Sequence, residues 1–206
     1  MIYEARSYRL KPMSIAGFLK EFGAAYEKRK EISPLAAFLY VEFGRLNEVI
    51  HIWPYENHAE RDRLRTEAAD AGVWPPKVDE FIGEKKSEIY TPLPIVGDFG
   101  SGKLGPLFEW REYTIHQGKM AGFLESWEGA IEERRKESPL VTAMQTEFGG
   151  LNKFVHLWGY ESLEHRADVR SDSLRRGIWP PKDLPRDALQ MQENRLCYAA
   201  PFSPLQ

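Results

Sequence analysis

The sequence predicts an α+β protein made of two tandem βαββαβ units, each an antiparallel sheet with both helices on one face. Three observations lead there. Residues 3 to 77 and 108 to 182 match without a gap at an offset of about 105 positions, with roughly 29 of 75 pairs identical. Within each copy the hydrophobic period switches between strand and helix spacing in the order strand, helix, strand, strand, helix, strand. The repeat is also far longer than solenoid periods of about 50 residues, so it reads as one small domain duplicated head to tail. The expected organisation is residues 1–93 and 108–206, joined by a linker at 94–107.

Each element has a local cause. Ile2 to Leu10 alternates and reads as a strand. Ile15, Phe18, Leu19, Phe22 and Tyr26 recur at helical spacing, and their mates are Met120, Phe123, Leu124, Trp127 and Ile131. Ser33-Pro34 ends that helix, because proline disfavours helical backbone at the residue before it. Leu35 to Phe43 and Glu48 to Tyr55 are β-rich runs around the short connection Gly44-Arg45-Leu46-Asn47. Asn57, with Glu60 three residues on, opens a second helix to about Ala71, and Trp74-Pro75-Pro76-Lys77 breaks it. A fourth strand is expected near Glu88 to Leu93, and near Asn194 to Ala199 in the second copy. Thr91 to Leu107 is rich in Gly and Pro and reads as a connection.

Composition excludes several classes. A net charge of −3, with acids and bases interleaved, gives no general attraction to nucleic acid. No apolar run approaches the ~20 residues of a membrane span. The opening alternates as a strand and leaves no stretch for a leader. One cysteine, Cys197, cannot form an internal disulfide and suits a reducing compartment, so a soluble cytoplasmic protein is expected.

A βαββαβ sheet covered on one face must bury the other, and two copies in one chain can cover each other. Strand parity divides the residues. Ile50 and Ile52, with Val155 and Leu157, form an aliphatic set expected to pack under the helices. Val49, His51, Trp53 and Tyr55, with Phe154, His156, Trp158 and Tyr160, form an amphipathic aromatic set expected to line a cavity between the sheets. Glu4, Arg6 and Tyr8 recur as Glu109, Arg111 and Tyr113 and are placed in the same interior, with Glu42 and Glu147 as further members.

Tyr3-Glu4-Ala5-Arg6-Ser7-Tyr8-Arg9-Leu10-Lys11-Pro12, then Phe43-Gly44-Arg45-Leu46-Asn47 and His51-Ile52-Trp53-Pro54-Tyr55-Glu56, resemble NIPSNAP domains. The second copy does too, through Phe148-Gly149-Gly150-Leu151-Asn152 and His156-Leu157-Trp158-Gly159-Tyr160-Glu161. The resemblance spans nearly the whole chain. It implies two ferredoxin-like units forming a pseudo-twofold dimeric α+β barrel. That superfamily also holds cofactor-free monooxygenases, isomerases and haem proteins. The NIPSNAP family itself has no established catalytic mechanism, so no catalytic residue is carried over.

On physical grounds His51 and His156 are the catalytic candidates, as acid, base or ligand. The competing reading makes them structural hydrogen-bonding groups, since no Ser, Cys or Asp completes a triad. Glu4, Arg6, Tyr8, Trp53, Tyr55, Glu109, Arg111, Tyr113, Trp158 and Tyr160 are binding candidates, with Arg as an anion clamp or as half of a buried ion pair. No metal is expected, because no histidines fall at ligand spacing. A haem would need His51 or His156 as its axial ligand. Gly97-Asp98-Phe99-Gly100-Ser101-Gly102-Lys103 has phosphate-loop spacing but is followed by Leu104 and no helix pattern, so it is set aside. Arg61, Arg65, Arg166 and Arg170 form an anion or partner surface, or a solvated face paired with Glu60 and Glu67.

Two functions fit these residues. One is a barrel that binds or senses a small molecule or protein. The other is a cofactor-independent oxygenase or isomerase acting on a small aromatic or acidic substrate in the barrel interior. Closure is expected within one chain, so further homodimerisation is allowed but not required.

Overall fold

A computed structural model describes residues 1–206. The first half runs β1 (Ile2–Leu10), α1 (Ile15–Arg29), β2 (Ala37–Phe43), β3 (Glu48–Tyr55), α2 (His58–Asp70) and β4 (Ile82–Pro92). The second runs β5 (Leu107–Ile115), α3 (Met120–Arg134), β6 (Leu140–Phe148), β7 (Lys153–Tyr160), α4 (Leu163–Arg175) and β8 (Leu189–Ala199). Local chemistry accounts for the boundaries. The Asn57 side chain accepts from the Glu60 N–H, and Ser162 accepts from His165, capping α2 and α4. In the hairpin turns, Gly44 and Gly149 take φ of 119° and 123°, which a side chain would resist. The fourth strand of each half is longer than its sequence signal, because its first six residues are mostly exposed and polar.

All eight strands close into one antiparallel barrel in the order β1-β3-β2-β8-β5-β7-β6-β4. Each half contributes four neighbouring strands, and the halves join edge to edge at β2–β8 and β4–β6. No sheet edge is left unpaired. The helices lie outside, each over the sheet of its own half, and α1 is also covered by Phe202 from the C-terminal segment.

The structure reverses the expected assignment of faces. Ile50, Ile52, Val155 and Leu157 point into the barrel, where they join Tyr3, Ala5, Phe108, Trp110 and Cys197 in one core drawn from both halves. Trp53 and Tyr55 pack under α1 with Phe18, Phe22 and Tyr26, and Trp158 and Tyr160 do so under α3. Glu42 and Glu147 are exposed on neither interior. The cause is geometric: the interior of this eight-stranded barrel is filled by its own apolar side chains, the β3 and β7 aliphatics together with Tyr3, Tyr90, Phe108 and Trp110. The polar and charged groups on the alternate positions go to the gap beneath the helices, where they reach one another and solvent.

One barrel end is closed by the inter-copy segment and the C-terminus. Phe99, Leu104 and Leu205 pack on the core, the Leu104 N–H donates to the Gln206 carbonyl at 2.6 Å, and the Gln206 N–H donates to the Gly102 carbonyl at 2.7 Å. The other end holds a buried polar cluster. Arg195 meets Glu48 at 2.8 Å and Glu112 at 3.3 Å, while Lys153 meets Glu88 at 3.0 Å and Glu112 at 2.5 Å. Burial raises the Glu48 carboxyl pKa. At Glu88 burial also acts upward, but Lys86, the Gly150 N–H and Lys153 outweigh it and hold the group at about 2.

These charges distinguish the halves. Glu48 and Lys153 occupy equivalent positions, as do Glu88 and Arg195, so each pair carries opposite signs. Across the joint every contact is therefore acid to base. Two first halves would bring Glu48 against Glu88, and two second halves Lys153 against Arg195. The cluster favours pairing of unlike halves. Arg195→Met leaves two buried carboxylates facing each other and is expected to cost about 3–5 kcal/mol in urea unfolding. Glu48→Gln, which leaves Arg195 paired to Glu112, should cost clearly less; equal costs would remove Arg195 as the centre of the cluster.

Candidate functional site

Each half holds a cavity between sheet and helices, about 260 Å³ in the first and about 250 Å³ in the second. The first is lined by Arg6 and Tyr8 from β1, Trp53 and Tyr55 from β3, Arg29 from α1, Arg65 from α2, and Trp74 beyond it. The second is lined by the equivalent Arg111, Tyr113, Trp158, Tyr160, Arg134, Arg170 and Trp179. A larger open groove of about 650 Å³ along the outer side of α3 carries none of this set.

A buried carboxylate organises each cavity. Glu4, fully buried, accepts from Arg6 at 2.8 Å, from Arg61 at 2.9 and 3.0 Å, and from Ser87 at 2.8 Å. Arg65 approaches it at 3.6 Å. Burial pushes its pKa up, but Arg61, Arg6 and Ser87 prevail and hold it at about 2. Glu109 repeats the arrangement with Arg111 at 2.8 Å and Arg166 at 2.6 Å, with Arg170 at 3.9 Å. Its pKa is likewise held below the ordinary value. Arg6 and Arg111 also donate from Nε to Tyr8 and Tyr113, each at 2.8 Å. These arginines are thus ion-pair partners, each engaged through Nε and Nη1. Arg61 and Arg166 belong to the same network, not to a solvated face paired with Glu60 and Glu67.

His51 and His156 are 1% exposed. The indole N–H of Trp53 donates to His51 Nδ1 at 2.7 Å, and that of Trp158 to His156 Nδ1 at 2.6 Å. The one lone pair of the neutral ring is therefore occupied, and the proton sits on Nε2. His51 is packed among Tyr8, Phe22 and Phe38, at 4.8, 5.1 and 5.5 Å between ring centroids. Burial, with Arg6 adding to it, drives the His51 pKa well below its usual value. Burial does the same for His156, helped by Arg111, Arg134 and Arg170. A ring closed in this way does not fit an axial haem ligand. No group of three His, Cys, Asp or Glu side chains stands close enough to hold a metal ion. Cys197 lies in the barrel core, where burial raises its thiol pKa.

Arg29, Arg134, Trp74 and Trp179 complete the cavities and were not among the residues singled out from sequence as binding candidates. Their signal was present: Phe22, Tyr26 and Arg29 share one face of α1, and both arginines sit at equivalent positions in the two copies. Each guanidinium lies over an indole, Arg29 at 5.2 Å from Trp53 and Arg134 at 4.1 Å from Trp158.

Comparison with known proteins agrees with this architecture. The NIPSNAP family model matches residues 3–96 and again 108–204. Human NipSnap homolog 3A is 31% identical over 217 residues, covering 100% of this chain and 86% of that protein. Drosophila melanogaster NipSnap is 21% identical over 87% of this chain and 69% of its own length. A monooxygenase-like protein of Lactobacillus acidophilus shares the fold, with a TM-score of 0.65 at 9% identity over 97% of this chain and 93% of its own. No helix is long and apolar enough to cross a membrane, and the barrel closes within one polypeptide. With both copies matched and the full-length likeness to NipSnap 3A, the chain belongs to the NIPSNAP family.

Proposed function

We propose that this protein binds small molecules in two like pockets, one beneath the helices of each half, and does not transform them. One internal comparison carries the reading. On the pocket side nine pairs are identical, Glu4/Glu109, Arg6/Arg111, Tyr8/Tyr113, Arg29/Arg134, His51/His156, Trp53/Trp158, Tyr55/Tyr160, Arg65/Arg170 and Trp74/Trp179, while Phe22/Trp127, Ala69/Leu174 and Lys85/Gln192 differ. The barrel-side pairs Tyr3/Phe108, Ala5/Trp110, Ser7/Glu112, Ile50/Val155, Ile52/Leu157 and Tyr90/Cys197 all differ. Stability alone would not sort the two faces this way, since the barrel side is at least as well buried. Retention of the pocket set in both copies points to a ligand.

Binding without turnover follows from the donors and acceptors available. Arginine, tyrosine and indole groups line the cavities, and the carboxylates behind them are saturated with donors. The histidine lone pairs are taken by Trp53 and Trp158. A general base needs a basic unshared pair placed against substrate; the one carboxylate lining either pocket is Asp79, which is ion-paired with Lys85, and the Ser173 hydroxyl is not basic.

Filling the pockets tests this. In a thermal-shift screen of small organic compounds, a true ligand at 100 times its Kd adds about 2.7 kcal/mol, or roughly 5–10 °C in Tm for a chain of this size. The shift should shrink in Ala69→Trp and Leu174→Trp singly and disappear in the double variant. Hits that persist unchanged in the double variant would place binding elsewhere.

The histidines have their own signature. Their folded pKa lies below the unfolded value near 6.5, so as pH falls through about 6.5 the unfolded chain takes up protons that the folded chain refuses. Their contribution is complete above that pH and declines below it. The slope of Tm against pH just below 6.5 should be flatter in His51→Asn/His156→Asn, whose amide oxygens can still accept from the indoles. An unchanged slope would mean the rings titrate in the folded state.

A further inference from the structure

The two pockets are alike in composition but not in how their buried arginine is held. Arg134 donates to Ser138 at 2.9 Å and to Tyr160 at 3.0 Å. Arg29, at the equivalent position and 1% exposed, has no hydrogen-bond partner for Nε or Nη1, and Ser33, the mate of Ser138, is also unpartnered. Arg29 lines the first cavity and lies 5.2 Å from the Trp53 ring and 5.9 Å from the Trp74 ring. Arg65 stands on the same wall, 39% exposed and only loosely tied to Glu4 at 3.6 Å.

We infer that the first-half pocket is a site for an organic monocarboxylate with a flat apolar body, one per chain, held by Arg29 and Arg65 against the wall formed by Trp53 and Trp74. The inference rests on the small-molecule reading above and names its ligand class. The Arg29 Nε and Nη1 groups, shut off from solvent and without a partner, incur a desolvation cost that the protein itself does not offset. A carboxylate in the cavity beside them neutralises the charge, and the more exposed Arg65 fork can hold it with two parallel hydrogen bonds. Trp53 and Trp74 touch edge to face, with ring centroids 5.5 Å apart, so a ring or short hydrocarbon would lie against this apolar wall, and a volume near 260 Å³ admits one small molecule. Charge favours the same class. Of the residues lining this cavity, Arg6, Arg29, Arg65 and Lys85 are cationic, whereas Asp79 alone is acidic and is paired with Lys85. In the second half Gln192 stands at the position of Lys85, and Arg134 is already satisfied, so that pocket is the weaker anion site.

The test uses the full chain with benzoate as probe, benzamide as its neutral isostere and inorganic phosphate as an anion lacking the ring. Binding is read by calorimetry and by quenching of tryptophan fluorescence. Expected are one benzoate per chain in the stronger phase, at least tenfold weaker binding of benzamide and phosphate, and weakening by added NaCl. Arg29→Met should reduce benzoate affinity about 10–100-fold while leaving the ligand-free Tm equal or higher, a combination that a purely structural arginine would not give. Arg134→Met should leave the stronger phase in place and lower Tm. Should Arg29→Met fail to fold, Arg65→Gln must still weaken benzoate several-fold. Benzoate binding unaffected by these first-half changes overturns the assignment, as does equal binding of phosphate. Benzamide bound as tightly as benzoate, in a manner abolished by Ala69→Trp, overturns the anion class but leaves the pocket reading standing. No binding of any probe, together with no hits in the pocket-filling screen, removes both.

Discussion

An eight-stranded barrel can enclose little beyond its own side chains, and the arrangement of this molecule follows from that limit. Because the interior must be filled without voids, each strand sends its apolar residues inward, and small and large ones share one core: Ala5 with Trp110, Ile50 and Ile52 with Val155 and Leu157. The alternate residues then have no choice of side. They emerge beneath the helices, where the separation between sheet and helix leaves room for rings, guanidiniums and an open volume. The pockets are thus a consequence of the closure that fixes the fold.

Duplication allowed the two faces to follow different histories. On the barrel side each half is the other's packing partner, so a change in one selects a compensating change in the other. Ala5 against Trp110 balances volume, and Glu48 against Lys153 and Glu88 against Arg195 exchange sign. A symmetric homodimer must place the same residue at both positions and could use neither device. On the helix side each half builds its own cavity, with contact between halves confined to segments such as Phe202 on α1 and Leu93 beneath α3, and there nine lining or supporting residues stand in both. Most altered positions thus lie where the halves support each other, and most retained ones around the separate cavities.

Periodicity made most of this fold legible. The β-rich runs, the helix stripe through Phe18, Phe22 and Tyr26, the Asn57 cap and the glycine turns are local signals, and each is matched by the structure. Parity also grouped the right residues: Glu4, Arg6, Tyr8, Trp53 and Tyr55 do share one face. What parity cannot encode is which face turns inward, because alternation is symmetric about the sheet. An amphipathic face suits a cavity, but barrel width, a property of the closed assembly, decides where that cavity lies. Arg29 escaped for a related reason. It sits among Glu27, Lys28 and Lys30, and only its position three residues after Tyr26 places it on the buried side.

The buried carboxylates explain why so much positive charge can gather under the helices of a chain that is acidic overall. Glu4 neutralises one guanidinium fully and is shared by two more, and Glu109 does the same. Each acid therefore sets the orientation of several arginines while leaving the local charge positive. Removing such an acid would release the arginines together and expose their repulsion. Keeping it costs the acid its own availability, since every oxygen is already an acceptor for cations. A site organised this way is rich in donors, and its one lining carboxylate, Asp79, is tied to Lys85, so it is suited to holding an electron-rich group in place and poorly equipped to remove a proton from one.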